Sequence, residues 1–461
     1  MVRLFKHYIS YHVVLLGAVD LLVLFLAGEA AWHVRISQMG IAPGAFASRF
    51  WELLGFAVVI WLAMVAVGSY SPDSLRSVRF ATARLLVAVS LGVLGIAFLN
   101  LLLPGATLWR SVLLFAMLFA IAALVMVRIV WNATVKETAF QRRILVLGAG
   151  SRAQRLHRLS QRQGSGFTIV SFVKMGQGDA QIDGAIRRDD IGDLGQFVTR
   201  HGASEVVLAM EERRGSLPLK DLVRIKTKGI LVNEFSSFLE RETGRLDLDT
   251  LDPSWLIFSD GFSSGRFLSS VFKRIFDIFA SLLLLTVSLP LIVIFAILVK
   301  LDSSGPAFYR QTRVGLYGQP FRIAKLRSMR QDAEVAGAQW ADEDDPRITR
   351  IGRFIRNVRI DELPQLWNVL SGTMSFVGPR PERPEFVADL EADIPYYAER
   401  HMVKPGITGW AQINYPYGAS VDDARHKLEY DLYYAKNYTP FLDILILLQT
   451  LRVVLWPAGA R

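Results

Sequence analysis

No cysteine occurs in the 461 residues of this chain. Its absence excludes disulfides, zinc–thiolate sites, thiol nucleophiles and iron–sulfur clusters, and it removes the usual sequence clue to redox compartment. Charge is scarce too: charged residues make up 20% of the chain against 52% hydrophobic, and mean hydropathy is +0.31. What charge there is leans one way, with 52 Lys and Arg against 42 Asp and Glu, a formal net charge of +10. No RNA- or DNA-binding signature accompanies that excess, so no nucleic-acid partner is expected. On an apolar chain the surplus points to anionic membrane lipid or phosphorylated substrates. A cleavable signal peptide is also missing. The first apolar run has no small-residue cleavage site at its end and reads as a membrane span. The length allows about three domains at ~150 residues each.

Four apolar stretches fill the first third, roughly 11–32, 51–70, 81–103 and 109–131. Each approaches the ~20 residues a helix needs to cross ~30 Å of hydrocarbon, and several are bounded by Trp or Tyr, as interfacial belts are. They predict a four-helix transmembrane bundle over 1–135. Arg3 and Lys6 precede the first span, Arg76, Arg79 and Arg84 surround the second loop, and Arg128, Lys136, Arg142 and Arg143 end or follow the fourth. The other side carries Arg35, Arg49 and Arg110. The positive-inside bias then puts both ends of the bundle, and everything downstream, in the cytoplasm. Asp20 lies inside the first span, where an acid is either functional or part of a helix–helix hydrogen bond.

Next comes "RRILVLGAGSRAQRLHRL". The run 144–147 reads as a buried parallel strand, and 167–173, 205–209 and 230–235 read as further strands with helices between them. That alternation predicts a Rossmann-like, doubly wound α/β domain over 141–250. Gly148 to Ala153 fits G-x-G-x-x-A, a turn that admits a pyrophosphate to a helix start. The second strand ends in Val173-Lys174-Met175, with no acid for a ribose hydroxyl. A structural or regulatory domain and a working nucleotide site both remain open, and the missing acid favours the first.

A Ser- and Gly-rich stretch over 251–268 reads as a linker. The apolar segment 275–301 follows, "IFDIFASLLLLTVSLPLIVIFAILVKL", with Pro290 at its middle. A straight span here would export the rest of the chain. A helix broken at Ser288-Leu289-Pro290 can instead enter the membrane and return, because proline removes a backbone donor and clashes with the preceding turn. Pro-kinked spanning helices also exist, so this segment alone leaves both open, and the chemistry of the domain that follows tips the choice to re-entry. The remainder, 269–461, is expected to be a mainly α catalytic domain. Its final apolar stretch, 440–456, is too short for a span and reads as an interfacial helix.

Charge gathers in one tract of this domain. Arg347, Arg350, Arg353, Arg356 and Arg359 recur at every third position, followed at once by Asp361-Glu362 and then by Gly378-Pro379-Arg380-Pro381. Asp361 stands where a helix N-cap belongs, Pro364 suits a first turn, and Gly372 marks the stop. Leu363, Leu366, Trp367 and Leu370 recur at helical spacing and predict one buried stripe. A helix start would keep Asp361 ionised, and its free N–H groups can bind phosphate. An ionised carboxylate there is a competent nucleophile towards phosphorus, and Glu362 beside it could share Mg²⁺, the usual companion of diphosphates. The plain alternative is a helix cap beside a basic surface that rests on anionic lipid. Two further basic clusters, Arg310-Gln311-Thr312-Arg313 and Lys325-Leu326-Arg327-Ser328-Met329-Arg330, share the domain. Arg pairs with phosphate through two parallel hydrogen bonds.

The segments "YRQTRVG", "KLRSMRQDAE", "DPRITRIGRFIRNVRIDELPQLWNVLSGTMSFVGPRPERPEF" and "RHMVKPGITGWAQINY", in that order, closely resemble the bacterial sugar transferase family, the monotopic phosphoglycosyl transferases. The resemblance covers 271–456. The bundle plus α/β domain is similar to the large polyprenyl-phosphate hexose-1-phosphate transferases. The opening "MVRLFKHYIS" and the closing "YAKNYTPFLDILILLQTLRVVLWP" resemble the exopolysaccharide branch associated with PEP-CTERM systems. The resemblance implies that a UDP-sugar gives its sugar phosphate to undecaprenyl phosphate at the cytoplasmic face of the bacterial inner membrane, releasing UMP. It implies Asp361 as the nucleophile, forming a covalent phosphosugar-enzyme, with Glu362 assisting through Mg²⁺ or proton handling. Lys325, Arg327 and Arg380, and less directly Arg356 and Arg359, become candidates for substrate phosphates and nucleotide. Asp431, in "LEYDLYY", matches an acidic family position of open role. The family's re-entrant helix breaks at adjacent Ser-Pro. Here Leu289 separates Ser288 from Pro290, which puts the capping detail in question. Leu326 stands where small forms carry Phe. The sugar is left open, with glucose or galactose suggested by the large forms, as is the oligomeric state, with a homodimer one option.

Two other function classes compete with this one. A membrane-bound, NAD-dependent sugar-nucleotide enzyme centred on Gly148–Ala153 would need a Tyr-x-x-x-Lys pair, and the only candidate, Tyr430 to Tyr434, ends in Tyr. A non-enzymatic scaffold of polysaccharide export has no need of the acidic–basic constellation.

Overall fold

The computed structural model describes residues 2–4, 7–9, 11–70, 78–102, 108–134, 141–162, 165–175, 181–211, 217–251, 267–331, 333, 345–416, 418 and 420–455. Most of the expected linker, 252–266, and residue 456 lie outside them. The chain forms two compact units, Met1–Gly244 and Arg245–Arg461. It mixes helix and sheet, and among the described residues five helices are long and apolar enough to cross a membrane.

In the first unit, a short antiparallel pair, β1 (Val2–Leu4) and β2 (His7–Ile9), precedes four helices. These are α1 (Tyr11–Gln38), α2 (Phe50–Val67), α3 (Val78–Leu102) and α4 (Arg110–Thr134), one on each expected apolar stretch. They pack on a shared core that includes Leu24, Leu53, Ile60, Leu85 and Val112. On α4 the buried residues Val112, Ala116, Ala120 and Leu124 recur every fourth position, while Leu114, Leu118 and Met126 are exposed. An apolar residue on both faces is what a helix surrounded by lipid requires. Asp20 is fully buried and takes the bonding role rather than a free one. It accepts from Arg128 Nη1 and Nη2 at 3.0 and 2.6 Å and from Tyr70 Oη at 2.9 Å, tying α1 to α4.

The α/β part carries a five-stranded parallel sheet in the order β5-β4-β3-β6-β7. The strands are β3 (Arg142–Leu147), β4 (Phe167–Lys174), β5 (Ile186–Arg187), β6 (Glu205–Leu208) and β7 (Leu231–Glu234). The order reverses direction between β3 and β6, the switch point of a doubly wound fold. Successive β3 residues face opposite sides. Ile144 and Val146 pack with α5 (Ser151–Ser160) and α8 (Phe235–Thr243), while Leu145 and Leu147 pack with α6 (Leu194–Arg200) and α7 (Leu219–Thr227). The sequence pattern carried this domain to residue 250. In the structure α8 ends at Thr243, Gly244 closes it in the left-handed region at φ 63, and Leu246 and Leu248 belong to the core of the second unit.

The first described helix of the second unit is α9 (Phe267–Asp302), uninterrupted with Pro290 inside it. The expected break at Ser288–Pro290 is absent as a break in secondary structure, and the Ser288 Oγ caps nothing among the described residues. One lost donor is tolerated where every other backbone group is bonded within the helix. The two ends of α9 are both held by the same unit. Near the start, Arg274 donates to the carbonyls of Val369 and Leu370 at 2.6 Å each. Asp277 accepts from Ser375 Oγ and the Phe376 amide at 3.1 Å each. Near the end, Asp302 accepts from the Ile351 amide at 3.1 Å. Between these anchors Leu282, Val287, Leu289, Val293 and Ile297 are exposed.

After α9 the unit is mainly helical. It holds the antiparallel pair β8 (Phe308–Val314) and β9 (Pro320–Leu326), then α10 (Arg350–Asn357), a 3₁₀ turn over Ile360–Gln365, and α11 (Leu366–Ser371). There follow β10 (Ser375–Val377), α12 (Pro384–Asp393), β11 (Gly406–Thr408), α13 (Trp410–Asn414), α14 (Val421–Asn437) and α15 (Pro440–Leu455). α15 is 16 residues long, one short of the stretch expected for an interfacial helix. Its core joins Leu366, Val369, Phe376, Leu428, Tyr434 and Ile446.

Candidate active site

Asp361 and Glu362 lie in the 3₁₀ turn that enters α11, not at its cap. The cap is Arg359, two residues earlier, whose φ of 59° is left-handed. A non-glycine residue held there stores strain of about 1–3 kcal/mol and marks a segment fixed by its surroundings. Gly372 ends α11 as expected, at φ 86. The anticipated stripe is half realised. Leu366 is buried, but Trp367 is 67% exposed, and Asn368 and Val369 take the inner positions. The tight 3₁₀ turn rotates the face relative to an α-helix starting at Asp361. Asn368 explains why this segment lies against the hairpin. Its Oδ1 accepts from the Ala324 amide at 3.1 Å and its Nδ2 donates to the Arg322 carbonyl at 2.8 Å, pinning α11 to β9.

That pin brings Lys325 to the acidic pair. Glu362 Oε1 accepts from Lys325 Nζ at 3.3 Å and from Arg380 Nη2 at 2.9 Å. Glu362 faces a small depression that it lines with Arg313, Ile323, Lys325, Gln365 and Arg380, while Asp361, its neighbour, is not among the lining residues. Arg380 arrives through the Gly378–Pro381 turn. A Cβ on Gly378 would run into the Lys404 carbonyl, so only glycine lets β10 run this close to β11.

The two carboxylates have opposite electrostatics. Asp361 is 8% exposed and its Oδ1 has no hydrogen-bond partner among the described residues. Burial first, then the Glu362 charge, pushes its carboxyl up to about 6, against the pull of Lys325, Arg380 and Arg359. The turn's N-terminal field thus fails to depress it. Burial also works to raise Glu362, but the charges of Arg380, Lys325 and Arg359 outweigh it and hold this carboxyl well below its usual range. Burial lowers the Lys325 ammonium, with Glu362 opposing. The result is one clamped anion beside one uncommitted, more basic carboxylate oxygen, a pairing suited to nucleophilic attack.

The remaining predicted residues separate by role. Arg327 is buried and donates to the carbonyls of Ser303 and Ser304 at 2.7 and 2.5 Å, closing the end of α9 rather than facing the depression. Arg356 is half-buried and Arg359 exposed, and neither lines the depression. Asp431 is buried and accepts from Arg400 Nε and Nη2 at 3.1 and 2.7 Å. Arg400 also donates to Tyr397 Oη at 2.8 Å and to the Arg380 carbonyl at 3.0 Å, so Asp431 acts on the Arg380 turn from behind. Sequence reasoning missed Arg400, Asn368 and Gln365, although all three lie inside the segments that carry the family resemblance. Arg313 was visible only as part of a cluster, although strand alternation could have singled it out.

Among the described residues no group of three or more His, Asp or Glu side chains is gathered to hold a metal. Asp361 and Glu362 alone could hold a Mg²⁺ only if substrate phosphates and water supplied the remaining ligands. At the glycine-rich turn of the α/β domain, Ser151 donates from its amide and Oγ to Glu211 Oε1 at 2.9 and 2.5 Å. A carboxylate of the chain itself covers the helix start where a phosphate would bind.

Residues 268–457 match the family model "Bacterial sugar transferase", and residues 65–223 match one described as "CoA-binding domain". A UDP-N-acetylgalactosamine-undecaprenyl-phosphate N-acetylgalactosaminephosphotransferase of Aeromonas hydrophila is 44% identical over 244 residues, 52% of this chain and 56% of that protein. The match therefore spans little more than half of that relative. A putative undecaprenyl-phosphate N-acetylgalactosaminyl 1-phosphate transferase of Bacillus subtilis is 56% identical over 128 residues, 28% of this chain and 72% of that protein. A UDP-glucose:undecaprenyl-phosphate glucose-1-phosphate transferase of Caulobacter vibrioides is 44% identical over 183 residues, 39% of this chain and 67% of that protein.

Proposed function

The chain belongs to the bacterial sugar transferase family, and on that premise we propose that it transfers a hexose-1-phosphate from a UDP-sugar to undecaprenyl phosphate, starting an exopolysaccharide. The observation that carries this reading is the uncommitted Oδ1 of Asp361 beside a Glu362 clamped by Lys325 and Arg380. In the first step Asp361 Oδ1 bonds to the sugar-side phosphorus. The bond from that phosphorus to the bridging oxygen breaks, its electron pair stays on that oxygen, and UMP leaves. In the second step a phosphate oxygen of the lipid attacks the same phosphorus. The carboxylate is displaced and regenerated, and the sugar is left on a lipid diphosphate. No net proton is needed in either step. Lys325 and Arg380 offset the phosphate charge, and their grip on Glu362 keeps the second carboxylate from protonating. Mg²⁺ held by Asp361, Glu362 and the donor phosphates would neutralise further charge.

The acceptor is a membrane lipid, and α9 supports placing this chemistry at the inner-membrane surface. A straight helix of 36 residues is about 54 Å long, well beyond the ~30 Å of hydrocarbon. Both its ends are bonded to one compact unit while its middle shows apolar side chains. We propose that the helix bends at Pro290 without losing its helical continuity, so that it enters the cytoplasmic leaflet and returns as a re-entrant segment over 275–301. The four-helix bundle would span the same membrane. A nucleotide-dependent reading of the α/β domain loses support from the carboxylate of Glu211 at its glycine turn.

The test uses purified full-length protein and UDP-N-acetylgalactosamine or UDP-glucose labelled at the sugar-side phosphate, without lipid. Label on the protein and one equivalent of UMP are expected, both absent in Asp361→Asn. UMP release that needs lipid would point to direct transfer in a ternary complex. EDTA should stop the reaction and Mg²⁺ restore it.

A further inference from the structure

We infer that Arg313 binds the nucleotide-side phosphate of the donor and stabilises the departing UMP; this assignment rests on the transfer reading above. The β8–β9 hairpin sets its position. Arg313 pairs with Phe321, Gln311 with Ile323 and Tyr309 with Lys325, so these residues share one face of the ladder. Exposure alternates along β8 accordingly, with Arg310 and Thr312 turned out and Gln311 and Arg313 turned in. Lys325 and Arg313 therefore mark the two ends of a row about 13 Å long at the backbone, with Ile323 as the floor between them. The Lys325 end touches Glu362, next to the proposed nucleophile. Arg313 lines the same depression as Lys325 but is not among the charges acting most strongly on Asp361, which suits it to the phosphate that departs in line, opposite the attacking carboxylate.

Its bonding leaves capacity for an anion. One terminal nitrogen donates to the Pro381 carbonyl at 3.2 Å and reaches Glu382 only at 3.5 Å, and the other donates to Gln311 Oε1 at 2.6 Å. Nε is buried without a partner. These contacts brace the guanidinium while its charge is poorly matched. Burial lowers its proton affinity and Glu382 opposes this, but Arg380 and Arg383 crowd it with like charge. The depression as a whole is lined by three cations, Arg313, Lys325 and Arg380, and one carboxylate, Glu362. That imbalance suits a diphosphate, which carries two negative charges in a nucleotide sugar.

The full chain in detergent is titrated with UDP, UMP and uridine, as wild type, Arg313→Gln, Arg313→Lys and, as an outward-facing control on the same strand, Arg310→Gln. A charged hydrogen bond to phosphate corresponds to about a ten- to hundredfold change in affinity. Arg313→Gln should weaken UDP and UMP by that factor and leave uridine within twofold of wild type. Arg313→Lys should recover part of the loss, and Arg310→Gln should match wild type. Unchanged UDP and UMP affinity in Arg313→Gln overturns the assignment, and so does an equal loss for all three probes, which marks a scaffold residue. If the wild type binds neither UDP nor UMP, the donor reading itself fails and takes this one with it.

Discussion

At the scale of single residues, Asp361 is held in a state that favours reaction over stability. Its carboxyl titrates at about 6, against 3.8 in an unfolded chain. The folded state binds this proton more tightly, so protonation favours folding. The penalty for the charged form is full above pH ~6 and is relieved as pH falls from ~6 to ~4. At about 1.4 kcal/mol per unit the shift corresponds to roughly 2–3 kcal/mol. Asp361→Asn should therefore raise the melting temperature of the detergent-solubilised chain at pH 7.5 while eliminating turnover. A lower melting temperature would show that the carboxylate is a structural anion. The proposed attack needs the ionised form. The rate of UMP release at low donor concentration should fall about tenfold per pH unit below 6 and level off above 7. Glu362 behaves oppositely and stays ionised throughout that window, so one acid limb is expected rather than two.

At the scale of elements, the site depends on how three segments are brought together. Asn368 pins the helix carrying the dyad to the strand carrying Lys325, and Arg400 pins the Arg380 turn to Asp431 on α14. Arg400→Ala would leave Asp431 buried without its partner, a change that costs about 3–5 kcal/mol in buried pairs. The milder Asp431→Asn keeps a hydrogen-bond acceptor. It should raise the donor KM, through a displaced Arg380, more than it lowers kcat, and a variant with unchanged KM would place Arg400 and Asp431 outside the machinery. Arg327 has a different part, bonding the carbonyls at the end of α9. Arg327→Gln should destabilise the second unit while leaving UMP affinity within about threefold, measured by calorimetry on protein that remains folded.

At the scale of the molecule, the reading turns on sidedness. Because the chain has no cysteine, single cysteines report position without interference. Ala42→Cys, in the exposed loop between α1 and α2, should react with a membrane-impermeant maleimide in intact cells. Glu391→Cys, exposed in the second unit, should react only after the membrane is opened. Labelling of Glu391→Cys in intact cells would mean that α9 crosses the bilayer.

Apolar run length, strand alternation and the Asp-Glu pair were legible before any coordinates, since each depends on neighbours within a few positions of one another. The four long helices, the principal strands and the acidic pair appear where those local rules place them. Three matters needed the fold. Whether Asp361 or Arg359 caps the turn depended on a left-handed residue that composition does not reveal. Which arginines face the depression depended on packing, and Arg327 and Arg313 exchanged the importance that motif position suggested. The opposite proton affinities of Asp361 and Glu362 arose only when Lys325 and Arg380, 37 residues before and 18 after Glu362, converged on it. Local sequence set which segments would be helix, strand or turn, because backbone propensity and burial pattern act at short range. Charge, solvation and reach act through space, so the chemistry of each side chain was decided by the tertiary structure.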